Sequence, residues 1–409
     1  MKIYQIGGAV RDKVIGITPV DTDYVVVGAT VEEMEQLGFY SVGKSFPVFL
    51  HPQTKEEYAL ARKEIKTGLK HTDFKFDFNK TITLKEDVLR RDFTMNALAY
   101  DEATGELIDF VGGKKDIDDK IIRHINAEHF VEDPLRVLRM CRFSAQLDFC
   151  IHPETMDLAK KMVADDMLHH LSKERVFKEI EKALATKHFD KFILSMKESG
   201  ALKKILPEVD ALFFVPEKEK YHPEKNTGLH TILSIQKAEE FTPEIKFAVL
   251  LHDVGKGLTP KSILPSHTGH EQRGINLVKE ICNRLRVPKR YKKMALLGCE
   301  NHMLLRDIPQ MALADIYDFV DKVTTHFKHQ KTLTDLFSIC QSDLNGRALP
   351  LSQTEFINFE TAKKICLDLF NQMQKIKREF MPEICKTKVG CEVAKGLKEQ
   401  ALCLLKISN

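Results

Sequence analysis

The sequence predicts an α+β protein with more than one domain. Runs of β-forming residues are concentrated before residue 62, whereas helical patterns predominate from Pro153 onward. A chain of 409 residues that is 43% apolar and 30% charged can bury several hydrophobic cores, so we expect it to split into at least two domains. These observations indicate an N-terminal domain with a small sheet, followed by helical domains.

The first predicted strand leads into a glycine turn. Lys2–Ile6 is β-forming, and the glycine pair Gly7-Gly8 follows it directly. Glycine allows the backbone to come close to a bound anion, and a helix is predicted to open at about Ala9. Arg11 adds a positive charge to this turn. The pattern therefore indicates a place where an anionic group can bind.

Two carboxylates are expected inside the second strand. Asp21 and Asp23 precede three valines, which form a strongly β-forming and apolar run. Side chains two residues apart in a strand point to the same face, so the two aspartates aim at one spot. A pair of this kind suits a hard divalent cation such as Mg2+.

These residues together resemble a known superfamily. Gly7-Gly8-Ala9-Val10-Arg11-Asp12 with Asp21-Thr22-Asp23 is similar to the DNA polymerase β nucleotidyltransferases, in the branch of class II tRNA nucleotidyltransferases and bacterial poly(A) polymerases. The resemblance implies a nucleotidyltransferase head with a small mixed sheet and two-metal phosphoryl transfer with Mg2+ on the aspartate pair. It also implies that Gly8 and Arg11 bind the nucleotide.

The next two strands bring a third carboxylate into consideration. Phe46–Leu50 and Glu57–Ala61 are predicted to form a strand pair. The resemblance implies that Glu57 is the third active-site carboxylate of the head. Glu56 and Glu64 remain alternatives, because each is also an acidic residue beside a predicted strand.

A polar region separates these strands from a second signature. Residues 66–85 show no clear period and are predicted to form a mobile loop, which the resemblance implicates in choosing the nucleotide. Residues 86–99 contain the signature and are predicted to include the start of an amphipathic helix. The resemblance implies that Arg91 binds phosphate and that Asp92 reads the ribose.

Two further motifs follow. Asp109–Gly113 is expected to be a turn that joins the head to a helical neck. A helix is predicted to start near Pro134, with Arg136 and Arg139 on one face because they are three residues apart. In class II tRNA nucleotidyltransferases the matching Asp and Arg pair with cytosine or adenine, which implies that Asp133 and Arg136 read the base. Arg139 would help to bind the nucleotide.

The second half of the chain carries a different pattern. His230 is followed by the run Leu251-His252-Asp253-Val254-Gly255-Lys256, which resembles the HD superfamily of metal-dependent phosphohydrolases. Imidazole and carboxylate ligands suit a transition metal such as Ni2+, Co2+ or Mn2+. The predicted ligands of this HD site are His230, His252, Asp253, His270 and Asp343. His267 and His302 are further candidates, with a surface position as the alternative for both.

The motifs and linker signals give expected domain boundaries. The region from Pro153 to about Leu206 resembles the family body that holds tRNA, and the proline-containing and charged stretch after it is typical of a linker. The C-terminal stretch from Thr361 is predicted to be helical, mostly as a solvated tail. The expected ranges are 1–110 for the head, 111–206 for neck and body, 207–226 for the linker, 227–345 for the HD domain and 346–409 for the tail.

The resemblance implies a specific activity and leaves two alternatives. The expected reaction is the stepwise addition of CMP, CMP and AMP from CTP and ATP to a tRNA 3′ end, without a nucleic-acid template. The HD domain would add metal-dependent phosphatase, 2′-nucleotidase and 2′,3′-cyclic phosphodiesterase activity. A bacterial poly(A) polymerase, and an HD phosphohydrolase whose head only binds RNA, remain the alternatives.

Composition restricts the location and the partners. A net charge of +3 means that tRNA must be bound by local basic patches. No apolar run is long enough to span a bilayer and no signal-peptide core is present, so we expect a cytoplasmic protein without a membrane partner. Nine cysteines without a Cys-x-x-Cys pair fit reduced thiols. The sequence implies no stable protein partner.

Overall fold

The chain folds into two units with different secondary structure. The computed structural model describes residues 1–42, 48–66, 74–77, 79–327, 330–387 and 398–399. The first unit is Met1–Ile205 and contains a sheet with helices, and the second is Leu206–Asn409, in which the described regular elements are helices. The predicted α+β class is therefore confirmed.

The first unit contains every described strand. The strands are β1 Lys2–Ile6, β2 Asp23–Val27, β3 Tyr40–Ser41, β4 Val48–Leu50, β5 Glu57–Leu60, β6 Lys63–Lys66, β7 Phe74–Asp77, β8 Ala99–Asp101, β9 Glu106–Ile108, β10 Ile121–Ile122 and β11 Cys150–Ile151. The helices of this unit are α1 Gly8–Ile15, α2 Val31–Gln36, α3 Leu84–Leu89, α4 Gly113–Asp118, α5 Ala127–Phe130, α6 Leu135–Leu147, α7 Pro153–Ala164, α8 Lys173–Leu184, α9 Phe189–Glu198 and α10 Ala201–Ile205.

Seven strands form one mixed sheet in the order β3-β4-β5-β2-β1-β8-β9. Strands β2 and β5 are parallel, whereas the other neighbours are antiparallel. Two smaller pairs, antiparallel β6-β7 and parallel β10-β11, lie outside this sheet. The mixed sheet expected for the head is therefore present.

The two faces of the sheet pack against different helices. On one face the rings of Tyr24 and Tyr58 stack 4.3 Å apart, in a core that also contains Met34 of α2. On the other face Val25 packs in a core with Val88 of α3. Because side chains alternate along a strand, the residues next to the two tyrosines point away from the tyrosine face.

The second strand begins later than predicted. Asp23 is its first residue and pairs with Ile6, which is the last residue of β1, whereas Asp21 lies in a bend outside the strand. The ladder stops here because Gly7 leaves β1 with a φ of +79°. The prediction that both carboxylates lie inside the strand is therefore wrong for Asp21.

The polar region after β5 is more regular than predicted. Strand β7 forms a hairpin with β6, and α3 opens at Leu84 with a capping box between Thr83 and Glu86. The predicted loop is therefore wrong at both of its ends, while residues 67–73 and 78 lie outside the described residues. Residues 46 and 47 of the predicted fourth strand also lie outside them.

The second signature does not start a helix. Helix α3 ends at Leu89, and a short 3-10 helix over Thr94–Asn96 follows after a bend. The backbone N–H of Thr94 donates to Arg123 O at 3.0 Å, and Phe93 forms a bridge with His124. Because the backbone here bonds to residues 123 and 124 and not within a helical turn, the predicted helix start at Arg91 and Asp92 is wrong.

The neck and body follow the sequence pattern. Asp109 caps α4, because its carboxylate accepts hydrogen bonds from the backbone N–H groups of residues 111–114 at 2.9 to 3.1 Å. Helix α6 carries Arg136 and Arg139 as predicted. The region from Pro153 is helical, with Ser172 as the N-cap of α8.

The second unit is built from helices around two buried regions. Its helices are α11 Pro207–Leu212, α12 Thr227–Lys237, α13 Pro243–Leu251, α14 His270–Arg284, α15 Lys289–Asn301, α16 Leu313–Phe327, α17 Gln330–Asn345 and α18 Gln353–Thr387. Residues 245–251 of α13 are buried without interruption. Helices α16, α17 and α18 contribute to a second core.

The segment 207–226, expected to be a linker, is packed in the second unit. Helix α11 occupies its first six residues, with Val209 and Leu212 buried. Pro216 forms a bridge with Asn226, and Glu217 and Glu224 are buried. At the other end of the unit the predicted tail is helical, as α18, but the expectation that it is solvated is wrong for its first part, because Ala362, Leu369 and Ile376 are buried in the second core. Residues 388–397 and 400–409 lie outside the described residues. Among the described residues, no helix has the length and apolar character needed to cross a membrane.

The glycine of the His-Asp-x-Gly motif permits a close backbone contact. A Cβ atom on Gly255 would lie 2.0 Å from the backbone oxygen of His270 and 2.5 Å from the nitrogen of Gly274 in α14. We predict that Gly255→Ala destabilises the second unit by about 2 kcal/mol or more, because neither backbone atom can move away easily. Thermal denaturation would then show a fall in Tm of about 5 °C.

Gly257→Ala is the matched control for this prediction. Its Cβ would only reach Leu212 Cδ2 at 3.8 Å, which is an ordinary contact. We expect a change of less than about 0.5 kcal/mol for this variant. Equal Tm values for the two variants would contradict the proposed close packing of Gly255 on α14.

Candidate active sites

In the first unit, two acidic residues meet on neighbouring strands. Asp23 of β2 pairs in register with Glu57 of β5, and both point to the sheet face opposite the stacked tyrosines. Asp21 and Asp23 are solvent-exposed. Displacement of water by neighbouring protein atoms raises the pKa of Asp23; Arg91 opposes this rise and the charge of Asp21 adds to it. A divalent cation would relieve the repulsion between Asp21 and Asp23, and carboxylate oxygens are ligands that suit Mg2+.

The glycine turn places an arginine beside this edge of the sheet. Gly7 N–H donates to Leu98 O at 3.3 Å, and Gly8 begins α1. Arg11 is buried and donates to Asp12 Oδ1 at 2.8 Å and to Asn96 Oδ1 at 2.7 Å. The turn and the second signature are therefore bound together through Arg11.

The second signature is held by two ion pairs. Arg139 Nε donates to Asp92 Oδ2 at 2.7 Å, and Asn96 donates to the other oxygen of Asp92 at 3.4 Å. Burial opposes ionisation of Asp92, but Arg139 and Arg136 outweigh it and lower the pKa of this carboxyl. Asp92 therefore remains charged and is occupied by Arg139 in this structure.

The other ion pair holds Arg91. Asp87 is almost fully buried and binds Arg91 at 3.0 Å and Arg90 at 2.7 Å. The Arg91 guanidinium also lies near the glycine turn, because a Cβ on Gly7 would be 3.4 Å from its Nη1. Asp87 had no predicted role, although its spacing of four from Arg91 is that of a helical ion pair.

An aromatic ring connects three arginines of this region. The guanidinium groups of Arg11, Arg139 and Arg142 lie 5.3, 5.4 and 3.9 Å from the ring centre of Phe143. Arg142 in turn donates to the buried Glu179 of α8 at 2.6 Å. No role was predicted from the sequence for Phe143, Arg142 or Glu179.

The side chains of the predicted base-reading pair have different partners, although the backbone N–H of Arg136 donates to Asp133 O at 3.0 Å. Asp133 accepts a hydrogen bond from Arg175 at 2.8 Å, and its other oxygen caps Leu135 N–H at 3.1 Å. Arg136 instead donates to two backbone oxygens, those of His129 at 2.6 Å and Arg90 at 2.9 Å. Both side chains are thus held in place by hydrogen bonds to other protein groups. Arg175 is a partner that the sequence did not predict.

In the second unit, the predicted ligands come from several helices. His230 belongs to α12 and Asp343 to α17, while His252 and Asp253 directly follow the buried helix α13. His270 is the first residue of α14. Four of these five residues are at least nine-tenths buried, and Asp343 is partly exposed.

A first group of ligand atoms surrounds one point. His230 Nε2 lies 2.8 Å from Asp343 Oδ1 and 3.8 Å from Asp253 Oδ2. His252 Nε2 lies 3.4 Å from the same Asp343 oxygen and 3.3 Å from the same Asp253 oxygen. Ligands at about 2.1 Å from an ion and at right angles to one another are about 3.0 Å apart, so these separations suit one cation.

A second group uses the other oxygen of Asp253. His270 Nε2 lies 3.1 Å and His302 Nε2 lies 3.4 Å from Asp253 Oδ1, and the two nitrogens are 3.0 Å apart. The prediction placed His270 with the first group, but its ligand nitrogen faces this second one. The surface alternative is wrong for His302 and for His267, because both are buried.

Unsatisfied atoms support metal binding at these groups. His252 Nε2 and Asp253 Oδ1 are buried and have no hydrogen-bond partner. Buried polar atoms without partners are rare, and a shared cation would satisfy them. Lys256 forms an ion pair with Asp253 at 2.8 Å and with Glu217 at 2.8 Å. Burial opposes ionisation of Asp253, but the attraction of Lys256, His252 and His270 outweighs it and lowers the pKa of this carboxyl well below its usual value.

The ligand groups open into a cavity of about 600 Å3. Its walls combine the histidines with cationic residues, among them Lys218 and Arg347, and with apolar residues such as Tyr221 and Phe359. A cavity of this size and mixed polarity is suited to a small organic anion. A phosphate ester with an apolar or aromatic portion meets both requirements.

Three families match successive parts of the chain. Residues 3–123 match the poly A polymerase head domain, residues 148–213 the probable RNA and SrmB-binding site of polymerase A, and residues 227–326 the HD domain. The two active-site candidates thus lie in or next to separate family matches.

Relatives and solved structures share this organisation. The chain is 46% identical over 352 residues to the multifunctional CCA protein of Vibrio campbellii, covering 85% of this chain and 86% of that protein. It is 47% identical over the same length to that of Shewanella denitrificans, with 85% and 84% covered. A Bacillus stearothermophilus CCA-adding enzyme in complex with CTP shares the fold, with 20% identity, a TM-score of 0.64 and coverage of 99% and 89%. The chain therefore belongs to the multifunctional CCA protein family and is a tRNA nucleotidyltransferase.

Proposed function

We propose that the first unit adds CMP, CMP and AMP to the 3′ end of tRNA from CTP and ATP, without a nucleic-acid template. The observation that carries the proposal is the meeting of Asp23 and Glu57 on adjacent strands, with Asp21 beside them and arginines nearby. A metal-binding carboxylate cluster next to several guanidinium groups suits the transfer of a nucleotidyl group. Mg2+ bound to the carboxylates would activate the attacking hydroxyl and steady the leaving pyrophosphate.

The chain's own residues bind and orient the nucleotide in this proposal. Gly8 and Arg11 offer the turn and a charge to the triphosphate, and Arg91 and Arg139 add further charge. The ion pairs with Asp87 and Asp92 hold these two arginines before the nucleotide arrives. Such positioning reduces the loss of side-chain freedom on binding.

Base selection is assigned to α6 and the residues before it. Asp133 and Arg136 are each held by a second contact, to Arg175 and to backbone oxygens. A carboxylate and a guanidinium fixed in this way present acceptors and donors to a base edge. Groups that must be matched by hydrogen bonds discriminate strongly against the wrong base.

We propose that the second unit is a metal-dependent phosphohydrolase for phosphomonoesters, 2′-nucleotides and 2′,3′-cyclic phosphates. His230, His252, Asp253 and Asp343 would hold one Ni2+, Co2+ or Mn2+ ion, and Asp253, His270 and His302 would hold a second. When bound, the cations would lower the pKa of a water molecule for attack on phosphorus. Lys256 holds the shared carboxylate, and the cationic cavity wall binds the phosphate.

Each alternative to this assignment is disfavoured by an observation. A poly(A) polymerase needs no HD domain, and the curated relatives that cover most of this chain are called multifunctional CCA proteins. A head that only binds RNA has no need of three carboxylates at one edge of a sheet.

A cytoplasmic location belongs to the proposal because the described cysteines are free thiols.

One assay separates the proposal from both alternatives. The purified protein is incubated with tRNA that lacks its 3′ terminus, together with CTP, ATP or both, and the products are sequenced. We expect CC with CTP alone and CCA with both nucleotides. Runs of A with ATP alone would indicate a poly(A) polymerase, and no extension would indicate a non-catalytic head.

The carboxylates of the head give a first prediction. Asp21→Ala, Asp23→Ala and Glu57→Gln should each lower the rate of CMP and AMP addition, the aspartate variants by roughly a thousandfold or more, because several kcal/mol of metal stabilisation are lost. Binding of tRNA should change little. Glu56→Gln is the control, because Glu56 accepts a hydrogen bond from Thr54 and is not the register partner of Asp23. A wild-type rate in an aspartate variant would contradict the metal assignment.

Base reading gives a second prediction. Asp133→Asn or Arg136→Lys should raise incorporation of UMP or GMP at least tenfold, because the base edge is no longer matched. Arg175→Gln keeps Asp133 and removes only its support, so a smaller loss of selectivity is expected. Sequencing of products made with each nucleotide measures this. Variants that are slow but still select C and A would show that the pair has a structural role.

The independence of the two activities gives a third prediction. His252→Ala or Asp253→Asn should abolish Mn2+-dependent hydrolysis of 2′,3′-cyclic AMP, because a metal ligand is removed. CCA addition should stay within about twofold of wild type in these variants. Asp21→Ala is the reciprocal control and should lose addition while keeping hydrolysis. Loss of both activities in a variant with the wild-type Tm would contradict independence.

A further inference from the structure

We propose that Glu224 is a positioning residue of the hydrolase centre, which directs His230 toward the cation site and His222 toward the cavity. The proposal rests on the proposed phosphohydrolase function. Glu224 belongs to the segment that the sequence assigned to a linker, and none of the predicted motifs includes it. Its role follows from the contacts of its carboxylate.

One oxygen of Glu224 faces two imidazoles. Oε1 lies 2.8 Å from His222 Nδ1 and 3.2 Å from His230 Nδ1, and Oε2 accepts the backbone N–H of Ala348 at 3.2 Å. The Glu224 side chain is 3% exposed. A carboxylate only accepts hydrogen bonds when ionised, so both Nδ1 atoms must carry the protons. When His230 is neutral, its lone pair is then on Nε2, which lies 2.8 Å from Asp343 Oδ1, so this nitrogen can bind a cation beside that carboxylate.

The other candidate ligands are oriented differently. The Nδ1 atoms of His252, His270 and His302 each face a backbone oxygen, at 2.7, 3.0 and 3.1 Å. Among these four imidazoles, only His230 has a carboxylate within hydrogen-bond distance of Nδ1, because Glu271 Oε2 lies farther away, at 3.6 Å from His270 Nδ1. A carboxylate behind a ligand histidine fixes the ring and increases its basicity more than a neutral carbonyl does. Glu224 is therefore expected to strengthen metal binding through His230.

The second imidazole lies at the cavity wall. His222 lines the cavity with Lys218 and Tyr221, and its ring lies edge-on to His230 with ring centres 4.8 Å apart. Because Glu224 holds its Nδ1–H, His222 offers Nε2 to a bound molecule. In its neutral form this nitrogen accepts a hydrogen bond, which suits a hydroxyl of the substrate. Glu224 thus acts on metal and substrate through different histidines.

The test uses the full chain and Mn2+. Glu224→Gln keeps the size of the side chain but loses its charge, and should raise the Mn2+ concentration for half-maximal hydrolysis of 2′,3′-cyclic AMP by about ten- to a hundredfold. His222→Ala should raise KM for the nucleotide and leave the Mn2+ requirement unchanged. Glu208→Gln is the matched control, because Glu208 binds Arg284 in the same unit and is not among the cavity-lining residues. Glu208→Gln should keep the wild-type Mn2+ requirement and KM.

Further measurements separate a positioning role from loss of structure. The Tm of each variant is measured without metal, and Glu224→Asp, which retains the charge, should recover part of the Mn2+ affinity. Calorimetric titration of Mn2+ is done with variants that also carry Asp21→Ala and Asp23→Ala. It measures Mn2+ binding by the second unit, with no contribution from the head carboxylates and no substrate present. An unchanged Mn2+ affinity in Glu224→Gln would overturn the proposal.

Failure of the hydrolase proposal gives a different result. In that case wild type would bind Mn2+ with no hydrolysis, and the calorimetric difference between wild type and Glu224→Gln would still decide the role of Glu224. A Mn2+ affinity that falls equally in Glu224→Gln and Glu224→Asp, with a lower metal-free Tm in both, would also overturn the proposal.

Discussion

The constraint on which both candidate sites depend is the burial of ionised carboxylates, each of which requires matching positive charge. Asp253 of the second unit has only 1% of its surface exposed. An isolated charge at such a position would cost several kcal/mol, so the fold brings Lys256 and imidazoles of four helical segments to it. These segments meet there because each contributes one partner to the same carboxylate. The packing of these helices therefore also brings together the residues of the candidate metal centre.

The first unit obeys the same constraint with guanidinium groups. Asp87 and Asp92 are buried on either side of the bend after α3, and each holds an arginine that we assign to the nucleotide. Removing either carboxylate would leave a buried or half-buried guanidinium without its counter-charge. The same ion pairs hold the arginines in place. In the proposed function, stability and nucleotide binding would therefore depend on the same contacts.

The sequence singled out candidate chemical groups more readily than the residues that hold them in place. Asp23, Arg139 and His252 belong to short motifs with unusual composition, so they could be found without any knowledge of spatial contacts. Phe143, Glu179 and Glu224 have ordinary neighbours along the chain, and their contacts span distances that no local period encodes. The misassigned helix start at Arg91 has the same cause, because the nearby backbone N–H of Thr94 donates to Arg123, a residue about thirty positions away. The linker prediction for 207–226 used composition alone, which does not register that Glu217 and Glu224 are buried.

The two candidate sites differ in solvent exposure, and this difference accounts for their different ligands. In the head the aspartates are exposed, so the Mg2+ proposed there would keep several water molecules while oxygen ligands hold it. In the second unit the imidazoles are buried and supply nitrogen, which favours a transition metal over Mg2+. Loss of water from a buried site is tolerable only when the protein supplies most of the coordination. Four histidines around Asp253 meet that requirement, whereas three carboxylates at an exposed strand edge need water and a nucleotide to complete the shell.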